Sequence, residues 1–185
     1  MPESLPNHEA IDSPENTITE IKLAVAKLCQ EYKGEYWREL DRKQKYPTEF
    51  VRDLTESGFL SVLIPEKYGG SGLGIFAAST ILEEIHHQGC NAAACHAQMY
   101  TMGTVLRHGS DEQKKKYLPK IADGSLRLQA FGVTEPTSGT DTTSLRTTAT
   151  KDGSEYIING QKIWTSRAEH SDLMLLLART TQLNK

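Results

Sequence analysis

No apolar run in this chain of 185 residues approaches the ~20 residues that a helix needs to cross a bilayer. Its start, MPESLPNHEA, lacks the charged-then-apolar order of a signal peptide. These two absences support a soluble, cytoplasmic protein. One-sided charge is missing too: 21 Lys and Arg stand against 24 Asp and Glu, a formal net charge of -3. Apart from Lys114, Lys115 and Lys116 the basic residues are scattered. That is not the footprint of a nucleic-acid binder, although it leaves room for a single phosphorylated ligand. Cysteine is scarce as well. Cys29, Cys90 and Cys95 are odd in number and form no CxxC pair, so neither a disulfide framework nor a zinc knuckle is indicated. His86, His87, Cys90, Cys95 and His96 crowd together in sequence, but Gly89 and Asn91 interrupt any common helix face. Two packed helices account for them better than a metal does.

Helical signals fill the first two thirds of the chain. Pro2, Pro6 and Pro14 with little apolar content mark residues 1–16 as a flexible N-terminal arm. Thr17 and Glu20 have the T-x-x-E spacing of a capping box. Behind it Ile21, Val25, Leu28, Cys29 and Tyr32 fall on one stripe that ends at Gly34. A short helix around Tyr36, Trp37 and Leu40 precedes another, with Thr48 as its N-cap, Phe50, Val51 and Leu54 inward and Gly58 as its stop. The segment IPEKYGGSGLG has no Lys-Ser/Thr after its glycines, so it reads as a flexible connector and not as a phosphate cradle. Ile75, Leu82 and Ile85 mark the inner face of the next helix, residues 92–106 form another, and Ser110 with Gln113 opens a last one with a second capping box before Gly124.

From Leu126 the period shifts toward 2. LRTTAT alternates, KDGS turns the chain, EYIIN extends, Asn159-Gly160 signals a hairpin, QKIWTS runs back, and DLMLLLART reads as a buried strand. The fold class expected is α+β: an all-α helical domain, residues 17–125, followed by an incomplete antiparallel β domain, residues 126–185. So few strands leave an apolar face and a free edge, and the chain is expected to be a truncated one.

Taken in order, IPEKYGGSG, GSDEQKKKYLPKIADG, FGVTEPTSGTD and DGSEYIINGQKIWTS resemble the amino-terminal half of the acyl-CoA dehydrogenase family. The resemblance covers residues 17–180 and keeps the motifs in register. It implies an FAD-dependent enzyme with a helical first domain, a β middle domain and a second helical domain that this chain does not contain. It further implies that Phe131, Val133 and Thr134 border the flavin ring, that Gly139 and Thr140 meet the FAD phosphates, and that Thr140 also lies beside the CoA arm of the substrate. Trp164 would lie against the ring, with Thr165 following it and the Ser166 hydroxyl near flavin N5. Three positions depart from the commonest family pattern, which has Tyr at Phe131, Ser at Thr140 and Thr at Ser166. Each keeps either the ring or the hydroxyl.

The reaction implied is α,β-dehydrogenation of an acyl-CoA thioester: a carboxylate takes the α-proton and the β-hydrogen leaves as hydride to flavin N5. The family's catalytic Glu belongs to the second helical domain, so no catalytic residue is assigned. His96, on the helix at 92–106, is placed near the floor of the acyl pocket. Electron-transfer flavoprotein as acceptor, a homodimer or homotetramer, and a place in fatty acid metabolism follow from the same resemblance.

Other readings stay open. Trp164, Thr134, Thr140 and Ser166, taken singly, are ordinary sheet, turn or core residues. Glu135, between Thr134 and Pro136, reads as a structural hydrogen-bond acceptor, and Arg167 is either solvated or a phosphate ligand. At the level of the whole chain, the alternatives are a catalytically silent flavin or acyl-CoA binding module and a flavin oxidase or monooxygenase on the same scaffold.

Overall fold

The computed structural model describes residues 14–181. The chain divides into two compact units, Met1–His96 and Ala97–Lys185. Most of the expected arm, residues 1–13, lies outside the described residues. Residues 14–16 do not belong to an arm: helix α1 (Pro14–Cys29) already includes them. Proline at the first turn is favoured because its missing N–H would have no partner there. Thr17 therefore stands inside the helix and is not its cap.

In the first unit α1 packs against α4 (Ile75–His87). Val25 and Cys29 on α1, and Ala77, Ala78, Ile81 and Ile85 on α4, are buried. Ile85 is buried as expected and Leu82 is partly buried, but Ile75, expected inward, is 73 % exposed at the start of the helix, and Ala78 and Ile81 join Ile85 on the inner face. Between them lie α2 (Gly34–Lys43) and α3 (Thr48–Glu56). Gly34 thus begins a helix where it was expected to stop one, and the cap of α3 falls on Pro47, one residue before Thr48.

An aromatic cluster joins these pieces. Tyr32 meets Tyr36 and Phe50 edge-on at 4.9 and 5.0 Å, and Trp37 meets Phe50 at 5.0 Å. Such pairs contribute ~0.5–1.5 kcal/mol beyond the area they bury. The Trp37 indole N–H donates to the Tyr32 carbonyl at 3.0 Å.

The glycine-rich segment is tied to the preceding turn at Gly70 and Gly72. After a 3₁₀ turn at Glu66–Tyr68, the Gly72 N–H donates to the Ile64 carbonyl at 2.9 Å. A Cβ on Gly70 would stand 2.1 Å from that same carbonyl oxygen. The glycine is there for close backbone approach.

In the second unit, α5 (Ala93–His108), which starts in the first, leads to α6 (Asp111–Ala122). The capping box at α6 forms as expected, with the Ser110 hydroxyl accepting from the Gln113 N–H and the Gln113 side chain accepting from the Ser110 N–H. The change from helix to strand falls between α6 and β1 (Ala130–Gly132).

β2 (Thr148–Asp152) and β3 (Glu155–Asn159) form an antiparallel hairpin, turned at Gly153 with φ +59°. β1 pairs in parallel with β4 (Met174–Leu176), an arrangement that the antiparallel expectation did not include. QKIWTS forms no strand. Gly160 presses its backbone on Thr147, whose hydroxyl oxygen would be 2.3 Å from a Cβ there, so Asn159-Gly160 ends β3 and does not start a second hairpin. Nor is the 172–180 segment a long buried strand: β4 has three residues, with Leu173, Met174 and Leu177 37–44 % exposed.

All three cysteines are free and buried. Among the described residues no three His, Cys, Asp or Glu side chains converge as a metal set, and no helix is long and apolar enough to cross a membrane.

Gly70→Ala is expected to lower stability by about 1–3 kcal/mol through overpacking. The midpoint of urea unfolding measures this, and an unchanged midpoint would refute the close approach.

Candidate functional site

Both segments singled out in the sequence, 131–140 and 164–166, belong to the second unit, and the fold sets the first beside the residues that lead into the second. The Ile163 N–H donates to the Thr134 carbonyl at 2.9 Å. The Lys162 ammonium donates to the Val133 carbonyl and to the Glu135 carboxylate, both at 2.9 Å. Residues 27 to 29 positions apart in the chain are thereby joined by backbone and side-chain hydrogen bonds.

Glu135 organises the turn from within. Its side chain is 3 % exposed and that of Lys162 8 %. Its two oxygens also accept from the backbone N–H groups of Arg146 at 2.7 Å and Thr147 at 2.8 Å. Burial by itself would raise the pKa; the hydrogen bonds from Thr147, Lys162 and Arg146 outweigh it and bring the pKa down from 4.5 to about 2. A carboxylate so fully engaged is a structural acceptor, as its setting between Thr134 and Pro136 suggested. It is a poor proton acceptor at neutral pH.

The loop beyond it closes on itself. The Glu135 and Ser138 backbones exchange hydrogen bonds of 2.8 and 3.2 Å, and the Ser138 hydroxyl donates to the Asp141 carbonyl. Asp141 caps the 3₁₀ turn Thr142–Ser144 by accepting from the Thr143 N–H at 3.1 Å. The hydroxyls of Ser144 and Thr143 hold its pKa below the usual carboxylate value. Gly139 and Thr140 are left exposed at the apex, and a Cβ on Gly139 would meet nothing within 4 Å.

The remaining candidates differ in setting. Phe131, in β1, is partly buried and lies 5.6 Å from the Tyr100 ring of α5. Val133 and Thr134 are partly buried, Thr165 likewise, and Ser166 is exposed. Trp164 is 84 % exposed with φ +59°, which disposes of the core reading: a left-handed backbone turns the indole outward. Arg167, also left-handed at φ +60°, is partly buried. His96 is exposed on α5. Lys162 was missed by the sequence reading. Its ion pair spans 27 positions, and no local pattern connects the two residues.

Comparison with known proteins gives this arrangement a family. The family model described as "Acyl-CoA dehydrogenase, N-terminal domain" matches residues 15–125, and that described as "Acyl-CoA dehydrogenase, middle domain" matches residues 130–185. The chain belongs to the acyl-CoA dehydrogenase family. It is 36 % identical over 163 residues to Acyl-CoA dehydrogenase FadE12 of Mycobacterium tuberculosis, a match covering 88 % of this chain and 42 % of that protein. It is 32 % identical over 186 residues to mitochondrial isovaleryl-CoA dehydrogenase of Pongo abelii, covering 95 % of this chain and 42 % of the relative. Among solved structures, an acyl-CoA dehydrogenase from Geobacillus kaustophilus superposes with a TM-score of 0.79 at 28 % identity, over 91 % of this chain and 44 % of that one. The chain thus spans less than half the length of these relatives.

Glu135→Gln is expected to cost about 3–5 kcal/mol, because it leaves the buried Lys162 charge uncompensated. The folded pKa of Glu135 lies below its ordinary value, so its contribution is fully present above pH 4.5 and is lost as pH falls through about 2. Unfolding measured against pH should therefore fall less steeply across that window in the variant. Equal slopes would refute the role given to the ion pair.

Proposed function

We propose that this chain is the amino-terminal part of an FAD-dependent acyl-CoA dehydrogenase that removes the α-proton and the β-hydride of an acyl-CoA thioester. What carries the reading is the alignment of residues 133–135 with residues 162 and 163, joined by the Ile163–Thr134 and Lys162–Val133 hydrogen bonds within a family match to both domain models. The proposed division is a helical domain at 17–125 and a β domain at 126–185.

The residues present suit a flavin. Trp164 leaves an aromatic face open, Thr165 and Ser166 supply hydroxyls beside it, and the backbone at Gly139 is open to close approach. Phe131, Val133, Thr134, Trp164, Thr165 and Ser166 hold the ring system. Gly139 and Thr140 hold the phosphates, and Thr140 also the CoA arm. When bound, FAD supplies the acceptor for the hydride.

The chain's own contribution is to hold and orient. The Glu135–Lys162 pair keeps the two binding segments in register, and the closed loop at 135–144 fixes Gly139 and Thr140 without covering them. The proton is removed by a carboxylate that we place in the domain following this one in the longer relatives. The reading extends to an acyl pocket reached by His96, electron-transfer flavoprotein as acceptor, a cytoplasmic location, and a homodimeric or homotetrameric full-length form.

The protein as its gene expresses it tests the proposal. Its intact mass is expected to exceed 20.6 kDa, its purified form to carry FAD, and anaerobic addition of an acyl-CoA to bleach the visible flavin band. A flavin that does not respond to any acyl-CoA would overturn the dehydrogenase reading. Trp164→Ala in that protein is expected to weaken flavin retention roughly two- to tenfold, the equivalent of about 0.5–1.5 kcal/mol of ring contact, as measured by release of flavin fluorescence on dilution.

A further inference from the structure

Away from the flavin segments, the first unit holds two thiols in one buried spot. Cys29 is the last residue of α1 and is 3 % exposed; Cys90 lies in the connector between α4 and α5 and is 5 % exposed. The Cys90 sulfur stands 3.8 Å from the Cys29 carbonyl oxygen and 3.6 Å from that of Tyr32. These are carbonyls at a helix end, where intrahelical donors run out. The Cys90 sulfur is thus brought against the backbone of a cysteine 61 positions away, at a site unconnected with the proposed chemistry.

We propose that Cys29 and Cys90 are a redox pair that closes to an intramolecular disulfide, fastening the end of α1 to the α4–α5 connector. The reaction balances with a hydroperoxide as oxidant. Both thiols lose their hydrogens, one S–S bond forms, and the peroxide O–O bond is reduced, giving two waters from hydrogen peroxide.

Two features set its pace. Burial, then Cys90, then the Glu84 carboxylate push the Cys29 pKa up to about 12, so Cys29 stays protonated and the closed fold reacts slowly. Glu84 is itself 3 % exposed, accepting from the Gln88 amide at 2.6 Å with the Lys22 ammonium 3.8 Å away. Access comes through the connector: Gln88, Gly89 and Asn91 are exposed, and Gly89 takes φ +77°. Local opening there uncovers Cys90 without dismantling the helices.

Cys95 is the internal control. It is 1 % exposed, and burial alone raises its pKa to about 12.

The test treats the protein as its gene expresses it with hydrogen peroxide, quenches it, and alkylates the remaining thiols in denaturant. In the expected product Cys95 takes an alkyl group while Cys29 and Cys90 do not, and the mass before alkylation is about 2 Da lower. Its peptide map links Cys29 to Cys90, a thiol reductant restores all three thiols, and the oxidised form melts several degrees higher. Cys95→Ser should keep the link, and Cys29→Ser or Cys90→Ser should abolish it. The wild-type map decides the matter even if a serine variant fails to fold. A link to Cys95, a link between two chains, or sulfinic acid without a link would overturn the proposal. So would three thiols still free at a peroxide dose that cross-links the urea-unfolded chain.

Discussion

The ion pair between Glu135 and Lys162 is the constraint on which the second unit's candidate site depends. Taking both charges out of water costs several kcal/mol per ion. The cost is offset because neither is left with its partner alone: Glu135 also accepts from the Arg146 and Thr147 backbones, and Lys162 also donates to the Val133 carbonyl. Three segments meet there, namely the turn after β1, the approach to β2 and the coil after β3. None of them has enough regular structure to position itself.

This explains a division of labour in the residues. Those that lock the site, Glu135, Lys162, Ser138 and Thr147, are buried or nearly so, while Gly139, Thr140, Trp164 and Ser166 are exposed. On the proposed reading, a surface that receives a large planar cofactor cannot bury its own contacts, and it stays in shape only if a buried network behind it is satisfied. The small residues of the 131–144 segment serve both needs. Hydroxyls close the loop internally through Ser138, Thr143 and Ser144, and glycine leaves room outside.

Much of the helical part was legible because its signals are local. A capping box such as Ser110–Gln113 needs only three intervening bonds, and the burial of Val25 and Cys29, or of Phe50, Val51 and Leu54, follows from the helical period. Local rules failed where a residue's role depends on something distant. Ile75 has the helical spacing of a core residue but is 73 % exposed. Gly70 and Gly160 have the composition of flexible loop and hairpin turn, yet each is required by a backbone passing close by, at Ile64 and at Thr147. The apolar 172–180 run suggested a long buried strand, but pairing with a β1 of three residues limits it to three.

The order of helix and strand and the turn at Gly153 were present in the linear sequence, since periodicity and turn signals are properties of neighbours along the chain, and the family was legible through the resemblance of its motifs. The parallel pairing of β1 with β4, the outward indole of Trp164, the Glu135–Lys162 bond and the meeting of Cys29 with Cys90 were decided only in three dimensions. Each depends on chain segments distant in sequence or on a backbone conformation imposed by packing, and no pattern of adjacent residues specifies which partners a folded backbone brings within a few ångströms.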